Sequence, residues 1–292
     1  MKIDLARAGV LAPVEGLEVD IARVVDAALA EDLGSGDVTT EALFEPGQTC
    51  LAHLLLKEPG VVCGLPAVEA VFRALDADVD VEPLAADGDR LLEAPAVLAR
   101  IEGEARAVLS GERTALNLLG RLSGVATLTR RYADAVEGTG AVLLDTRKTI
   151  PGLRALEKYA VRCGGGTNHR LGLFDGILVK DNHLRLSGGI GSTVTRLRES
   201  APALPVEVEV DTLKQLREAL AAGADRILLD NMTPAGLREA VLLTNGNAML
   251  EASGGVTLDN IRAVAESGVD VISVGALTHS ARSLDVSLEV LR

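Results

Sequence analysis

Apolar positions follow two different rhythms along the chain. From Val19 to Leu33 they recur near a 3.6 period (Val19, Ile21, Val24, Val25, Ala28, Leu29), which predicts an amphipathic helix ended by Gly34. Ser35-Gly36-Asp37-Val38-Thr39-Thr40 reads as a polar turn leading out. Runs at Thr49–Leu56 and Gly60–Val62 predict strands, and Pro66–Leu75 predicts a helix. Val79–Leu84, Arg90-Leu91 and Val97–Glu102 are further strands, with a turn at Asp87-Gly88. A helix, several strands and a helix without regular alternation imply an α+β domain over roughly 20–110. Glu104 to about Val136 is strongly helical; Gly111 and Gly124 are its weak points and Gly120 marks a bend. Arg113 and Arg121, eight apart on that helix, read at first as surface charges.

From Ala141 the rhythm changes to regular alternation. Apolar runs at Ala141–Leu144, Ile177–Val179, Val206–Val210, Ile227–Leu229, Ala248–Leu250 and Val271–Val274 are separated mostly by helical patterns. Those helices are expected at Pro151–Cys163, Ser192–Ser200, Thr212–Ala222, Pro234–Leu243 and Leu258–Ser267. The pattern predicts βα units around a parallel sheet. Six strands over about 150 residues fall short of the ~250 of an eight-stranded barrel. A short, incomplete barrel is the first reading and an open doubly wound sheet the alternative.

Composition narrows the function classes. Aromatics are 2% with no Trp, so the core is aliphatic and base-stacking platforms are excluded. A pI near 4.8 argues against nucleic acid as a partner. No apolar run reaches the ~18 residues of a membrane span, and the N-terminus lacks a signal-peptide core, so a cytoplasmic protein is expected. Cys50, Cys63 and Cys163 form no CxxC pair and read as free thiols in a reducing compartment, not as a metal site.

Charge then singles out one stretch. Ala141 to Arg185 carries eight Lys/Arg against four Asp/Glu, net +4 in a chain of −13. A cationic island in an acidic protein is a candidate anion site. Solvated helix charge accounts for Arg154, Glu157 and Lys158, but poorly for Arg147, Lys148, His169, Arg170 and Lys180, which sit at strand ends and in a glycine-rich loop. Each later run also ends in a polar or glycine residue: Glu209, Asp230, Glu251 with Ser253, then Gly275. In a parallel barrel all these ends share one face, where active sites are built. The cations suit carboxylates or phosphates. Glu209 and Asp230 suit Mg²⁺ or sugar hydroxyls. Ser253-Gly254-Gly255 and Gly275-Ala276-Leu277 read as a phosphate cradle. Together they call for a substrate with carboxylates, a sugar, a divalent metal and a terminal phosphate. A barrel aldolase using Lys180 as a Schiff-base lysine, or a sensor of phosphorylated metabolites without turnover, remains open on these residues alone.

Several segments carry a resemblance. Asp145-Thr146-Arg147-Lys148-Thr149, Gly164-Gly165-Gly166-x-Asn168-His169-Arg170, Lys180-Asp181-Asn182-His183, Glu207-x-Glu209-x-Asp211, Leu229-Asp230-Asn231 and Ser253-Gly254-Gly255 resemble nicotinate-nucleotide pyrophosphorylase (carboxylating), also called quinolinate phosphoribosyltransferase. Glu31-Asp32-x-Gly34-x-Gly36-Asp37 and Glu112-Arg113-x-x-x-Asn117 extend it into the first half. The resemblance implies an N-terminal α/β sandwich, expected over 19–125 after a leader at 1–18, and an incomplete barrel over 126–280, with 281–292 returning to the sandwich. It implies a homodimer, or a higher oligomer built from it, in which Arg113 reaches the neighbour's site. The implied reaction joins quinolinate to 5-phosphoribosyl-1-pyrophosphate with Mg²⁺ and no organic cofactor.

The same resemblance distributes the roles. Arg113, Arg147, His169 and Arg170 clamp the two carboxylates, with Thr146, Lys148 and Lys180 beside them; contact of Lys148 and Lys180 with the pyrophosphate or the 5′-phosphate is the alternative role. Glu209 and Asp230 take ribose hydroxyls or Mg²⁺. Ser253, Gly254, Gly255, Gly275, Ala276 and Leu277 hold the 5′-phosphate. Lys148, Lys180, Glu209 and Asp230 are the expected catalytic set. His53, His183 and His279 are expected to be structural, His279 at a helix start. The molybdenum-operon homologues are the near rival; the full cationic set favours a dicarboxylate.

Overall fold

The computed structural model describes residues 16–291. Along the chain it places α1 (Leu17–Leu33), α2 (Val38–Leu43), β1 (Thr49–Leu56), β2 (Gly60–Val61), α3 (Leu65–Leu75), β3 (Asp80–Pro83), β4 (Arg90–Leu91), β5 (Ala96–Glu104) and α4 (Ala105–Val136). Then come β6 (Val142–Leu144), α5 (Arg154–Cys163), β7 (Ile177–Val179), α6 (Asp181–Ser187), α7 (Ile190–Ser200), β8 (Val206–Val210) and α8 (Leu213–Ala221). The chain closes with β9 (Arg226–Asp230), α9 (Pro234–Thr244), β10 (Met249–Ser253), α10 (Ile261–Ala265), β11 (Val271–Ser273), α11 (Ala276–His279) and β12 (Val286–Val290). Most of the expected leader lies outside the described residues, and Leu17 and Glu18 already belong to α1.

Two compact units result. One holds residues 16–130, 150–165 and 280–291; the other holds 131–149 and 166–279.

The first unit is α+β. Its main sheet runs β12-β1-β5-β3, antiparallel throughout, with β2 and β4 as a separate pair. The C-terminal strand thus joins the sheet begun by β1. Helix α1 contacts α3 through a stripe of Ile21, Val24, Val25 and Leu29, while Val19 lies outside the stripe and is exposed. Helix α4 is continuous through Gly111 and Gly124, the suspected weak points, and through Gly120, the expected bend. A Cβ at Gly124 would sit 1.9 Å from the Arg282 carbonyl oxygen, and one at Gly111 would meet Phe72 and Leu75. These glycines let other segments cross the helix closely, which is worth the ~1 kcal/mol each costs in propensity.

Three sequence expectations fail in this unit. The polar turn at 35–40 contains the start of α2, because Asp37 caps it by accepting from the Thr39 and Thr40 amides at 3.1 and 3.0 Å. Glu157 and Lys158 are not solvated: both are fully buried, since α5 packs within this unit and contacts α1. Glu157 Oε1 accepts from Arg121 Nε at 3.0 Å and Nη2 at 2.5 Å, and its Oε2 accepts from the Ile150 amide at 3.0 Å. Arg121 also donates to the Ala281 carbonyl at 2.6 Å, so it is a half-buried tie and not a surface charge.

The second unit settles the barrel question. Its parallel sheet runs β6-β11-β10-β9-β8-β7, so the last strand lies beside the first. Sequential order with that return is circular, unlike a doubly wound sheet, whose order reverses at a switch point. The circle stays open between β6 and β7 among the described residues; beside β6 runs only a parallel bridge from Leu144 to Thr167. This is the incomplete α/β barrel. Helix α6, right after β7, was not anticipated, and α7 starts at Ile190, before the predicted Ser192.

The Arg121–Glu157 tie gives a test. Arg121→Met strands a buried carboxylate and should cost about 3–5 kcal/mol in urea unfolding. A loss below about 1 kcal/mol would put the pair on the footing of a surface salt bridge.

Candidate active site

The barrel unit holds a cleft of about 650 Å³ at the C-terminal ends of its strands. The end of β6 supplies Thr146, Arg147 and Lys148 to it. Thr146 Oγ1 accepts from the Lys148 amide at 3.1 Å, and the Lys148 carbonyl accepts from Thr278 Oγ1 at 2.8 Å, so this turn is held on both sides. A Cβ at Gly275 would lie 2.8 Å from Lys148 Cδ; glycine is what leaves the lysine stem room.

His169 and Arg170 reach the cleft from the segment that stands beside β6. Thr167 exchanges backbone hydrogen bonds with β6, its amide to Leu143 O at 2.8 Å and its carbonyl from the Asp145 amide at 3.1 Å. Asp145 is fully buried, and its carboxylate accepts from Asn168 Nδ2 at 2.7 Å and the His169 amide at 2.8 Å. The sequence treated Asp145 as one more polar strand end; its function is to anchor the histidine loop.

Beneath the cleft lie four ionisable side chains from three strands and this loop. His169 Nε2 is 3.3 Å from Glu207 Oε2 and 3.3 Å from Glu251 Oε2. Arg226 Nη1 is 3.8 Å from Glu207 and 3.6 Å from Glu251. All four are buried. Burial alone disfavours the charged imidazole, but Glu251 and Glu207 outweigh it and push His169 up to about 10. Burial raises Glu207, with Glu251 adding to it. Against its own burial, Glu251 is held down to about 2 by His169 and Arg226. The Arg170 amide donates to His169 Nδ1 at 2.8 Å, a contact that a doubly protonated ring must give up.

The cations are crowded. Arg170 is buried and donates to the Gly176 carbonyl at 2.9 Å. Burial first, and the Arg147 guanidinium second, lower its pKa. Two guanidiniums close enough to disfavour each other are a setting whose chemistry suits an anion. Arg147 Nε is buried with no hydrogen-bond partner among the described residues.

Across the cleft stand the acids. Lys180, at the end of β7, lies 3.9 Å from Glu209 of β8, and its amide donates to His183 Nδ1 at 3.0 Å. His183 thus shapes the loop, as expected. Glu207 and Glu209 share a face of β8, as the pleat requires, but Glu207 serves His169 and Arg226 and gives Lys180 no support. Glu209 is raised by burial, opposed by Lys180, and raised again by Asp230 at the end of β9. Asn231, in the left-handed region at φ 53, donates to Asp230 Oδ2 at 2.7 Å and orients it. Glu209 and Asp230 are hard oxygen donors facing one cleft, the donor type a small divalent cation takes together with phosphate oxygens and water.

Ser253, Gly254, Gly255, Gly275 and Ala276 line the remaining wall. Gly254 has φ 86, and a Cβ there would fall 2.4 Å from Asn231 Oδ1, so the loop can pass Asn231 only without a side chain. Leu277 is fully buried and does not line the cleft. His279 lines it from the end, not the start, of α11. Arg113 belongs to the other unit, exposed on α4. The sequence reading missed Arg226, which opens β9 at the opposite end from the cleft, and Ser273, whose hydroxyl hydrogen-bonds Glu251 from inside β11.

The chain is similar to known proteins along nearly its whole length. Residues 125–289 match the family "Quinolinate phosphoribosyl transferase, C-terminal domain", and residues 37–123 match its N-terminal domain. The chain is 46% identical over 261 residues to the probable nicotinate-nucleotide pyrophosphorylase [carboxylating] of Bacillus subtilis (strain 168), covering 89% of this chain and 90% of the relative. It is 44% identical over 283 residues to the nicotinate-nucleotide pyrophosphorylase [carboxylating] of Mycobacterium leprae (strain TN), covering 94% and 98%. The solved nicotinate-nucleotide pyrophosphorylase of Francisella tularensis superposes with a TM-score of 0.90 at 39% identity, covering 97% of this chain and 99% of that one. With both domains matched in order, and relatives this similar along nearly its whole length, the chain belongs to the quinolinate phosphoribosyltransferase family.

Proposed function

We infer that this protein transfers the phosphoribosyl group of 5-phosphoribosyl-1-pyrophosphate to quinolinate with loss of CO₂, giving nicotinate mononucleotide and pyrophosphate. The observation that carries the reading is the two-sided cleft. Crowded cations (Arg147, Lys148, Arg170, and His169 above its buried carboxylates) face the acid pair Glu209 and Asp230. A pyridine dicarboxylate suits the first side and a phosphorylated sugar the second.

In this reading Arg147, His169 and Arg170 hold the two carboxylates, Thr146 supports them, and the ring nitrogen is aimed at the anomeric carbon. The nitrogen forms a bond to that carbon while the bond to pyrophosphate breaks, and pyrophosphate leaves with the electron pair. Glu209 and Asp230 face the positive charge that develops on the sugar, and Lys148 and Lys180 face the departing anion. The pyridinium nitrogen then draws in the electrons of the C2–carboxylate bond; CO₂ leaves, and a proton from solvent takes its place. Ser253, Gly254, Gly255, Gly275 and Ala276 receive the 5′-phosphate. Mg²⁺, when bound by Glu209 and Asp230, neutralises charge on the pyrophosphate. No organic cofactor is needed in this scheme.

The Schiff-base reading loses ground on geometry. Lys180 is half exposed and ion-paired with Glu209, whereas an amine nucleophile is kept neutral by a dry pocket or a neighbouring cation.

Arg113 completes the carboxylate clamp from a second copy of the chain, which makes the active protein a homodimer. The domain over 126–280 carries the transfer chemistry. The free thiols fit a cytoplasmic protein; among the described residues, no helix is long and apolar enough to cross a membrane.

Purified protein with quinolinate, 5-phosphoribosyl-1-pyrophosphate and Mg²⁺ should yield nicotinate mononucleotide and CO₂ together, and nicotinate should not replace quinolinate. Arg147→Ala should lower kcat/KM by about a hundredfold or more. Equal turnover with nicotinate would remove the dicarboxylate clamp. Mixing inactive Arg113→Ala and Arg147→Ala dimers under exchange should restore about a quarter of wild-type activity, one intact site per mixed dimer; no recovery would place Arg113 in its own subunit's site or in none.

A further inference from the structure

Two of the three cysteines, read from the sequence as free thiols, lie together in the fold. Cys63, buried in the loop after β2, and Cys163, on the last turn of α5, meet Asp87 from the 86–89 turn. The two sulfurs and an Asp87 carboxylate oxygen all lie within 4.8 Å of one another. Tyr159, one turn before Cys163 on α5, hydrogen-bonds both Cys163 and Asp87 through its hydroxyl. All four residues belong to the α+β unit, and none lines the barrel cleft.

Each corner is fixed by its own backbone contacts. The Cys63 amide donates to Ser123 Oγ at 3.0 Å, and Ser123 Oγ donates to the Cys63 carbonyl at 3.0 Å. Asp87 accepts from the Gly64 amide at 2.9 Å and the Leu65 amide at 3.1 Å. Its turn is tied back by the Gly88 amide to Val62 O at 2.8 Å and the Val62 amide to Asp89 O at 2.9 Å. At the Cys163 corner, a Cβ on Gly164 would lie 2.4 Å from the Ala126 carbonyl oxygen, so α5 ends in close contact with α4.

A self-satisfied polar network accounts for some of this, but not for its donor set. Two sulfurs and a carboxylate from three separately braced segments match a tetrahedral soft-metal site. Metal–sulfur bonds of about 2.3 Å put two sulfurs about 3.8 Å apart. With the sulfurs already within 4.8 Å of each other, at most about 1 Å of closure separates them from that spacing. Thiolates select zinc-class ions over Mg²⁺, which takes oxygen. Without metal, burial holds the proton on Cys63, while the hydrogen bond from Cys63 favours thiolate on Cys163; metal binding would then release protons.

We propose that Cys63, Asp87 and Cys163 form a binding site for a thiophilic divalent cation of the Zn²⁺ class, with the Tyr159 hydroxyl or a water in the fourth position. The ion clamps the last turn of α5 to the 86–89 turn and to the loop after β2. Positions 63, 87 and 163 are too far apart in sequence to show any zinc-ligand spacing, so only the fold reveals the site.

The test uses the full-length protein, reduced, stripped with chelator and titrated with Co²⁺. One equivalent per chain should give thiolate-to-cobalt charge-transfer absorption, which Zn²⁺ abolishes. The oxygen donors Glu209 and Asp230 cannot produce that band. Cys163→Ser and Asp87→Asn should each weaken Co²⁺ binding by more than about tenfold, and Cys50→Ser should leave it unchanged. No charge-transfer band in the reduced wild type overturns the proposal without reference to any variant. So does a band of undiminished strength in Cys163→Ser. Loss of the band in Cys50→Ser, with Cys163→Ser unaffected, would move the thiolate ligand elsewhere and end it equally.

Discussion

The barrel unit depends on a balanced set of buried charges. His169, Glu207, Glu251 and Arg226 lie together in the buried interior of the barrel unit. Any one of them alone would cost several kcal/mol to bury ionised. Two cations against two carboxylates leave no net charge, and removing one member exposes the rest to that penalty. Parallel pairing sets the geometry: Glu207 of β8 lies opposite Arg226 of β9, and Glu251 of β10 lies opposite Leu228, two residues further along β9. His169 then reaches the carboxylates from the segment beside β6 that Asp145 anchors.

From this floor the cleft above acquires its character. His169 turns Nε2 down to the carboxylates, and the guanidiniums of Arg147 and Arg170 beside it, which already disfavour each other, give the cleft its positive side. The cleft gains by admitting anions and loses by admitting a neutral ring. In the function proposed above, preference for a dicarboxylate over a monocarboxylate would follow from the charge left uncompensated when one carboxylate is missing. In that function, the acid pair and the glycine turns take the phosphorylated sugar while the cations take the dicarboxylate, so the two do not compete for one anion.

Much of this was legible in the chain because strands buried in a parallel sheet are continuous apolar runs, and a polar residue that ends one is conspicuous. Arg147, Lys180, Glu209, Asp230 and Ser253 were visible that way, and all line the cleft. Other features lacked a one-dimensional signal. Arg226 opens its strand, where a charge ordinarily faces water, so nothing marked it as buried. Glu157 and Lys158 sit in a helix of amphipathic pattern, and sequence does not say that α5 turns its charged side toward its own unit. The short α2 and α6 escaped because their residues read as polar loop; Asp37 and His183 stabilise them through local hydrogen bonds that periodicity does not register. The glycines of α4 looked like weaknesses because their value lies in what crosses the helix.

The most direct test of this account is the ionisation state of His169. Nitrogen-15 NMR of histidine-labelled protein, with His169→Gln to assign the resonance, would follow both ring nitrogens through a pH titration. The account predicts an imidazolium that keeps both protons through about pH 8 and loses one only near about 10. A ring that titrates near the ordinary value of about 6.5, or is already neutral at about pH 8, would contradict it; the carboxylates beneath would then not be holding the cleft's charge.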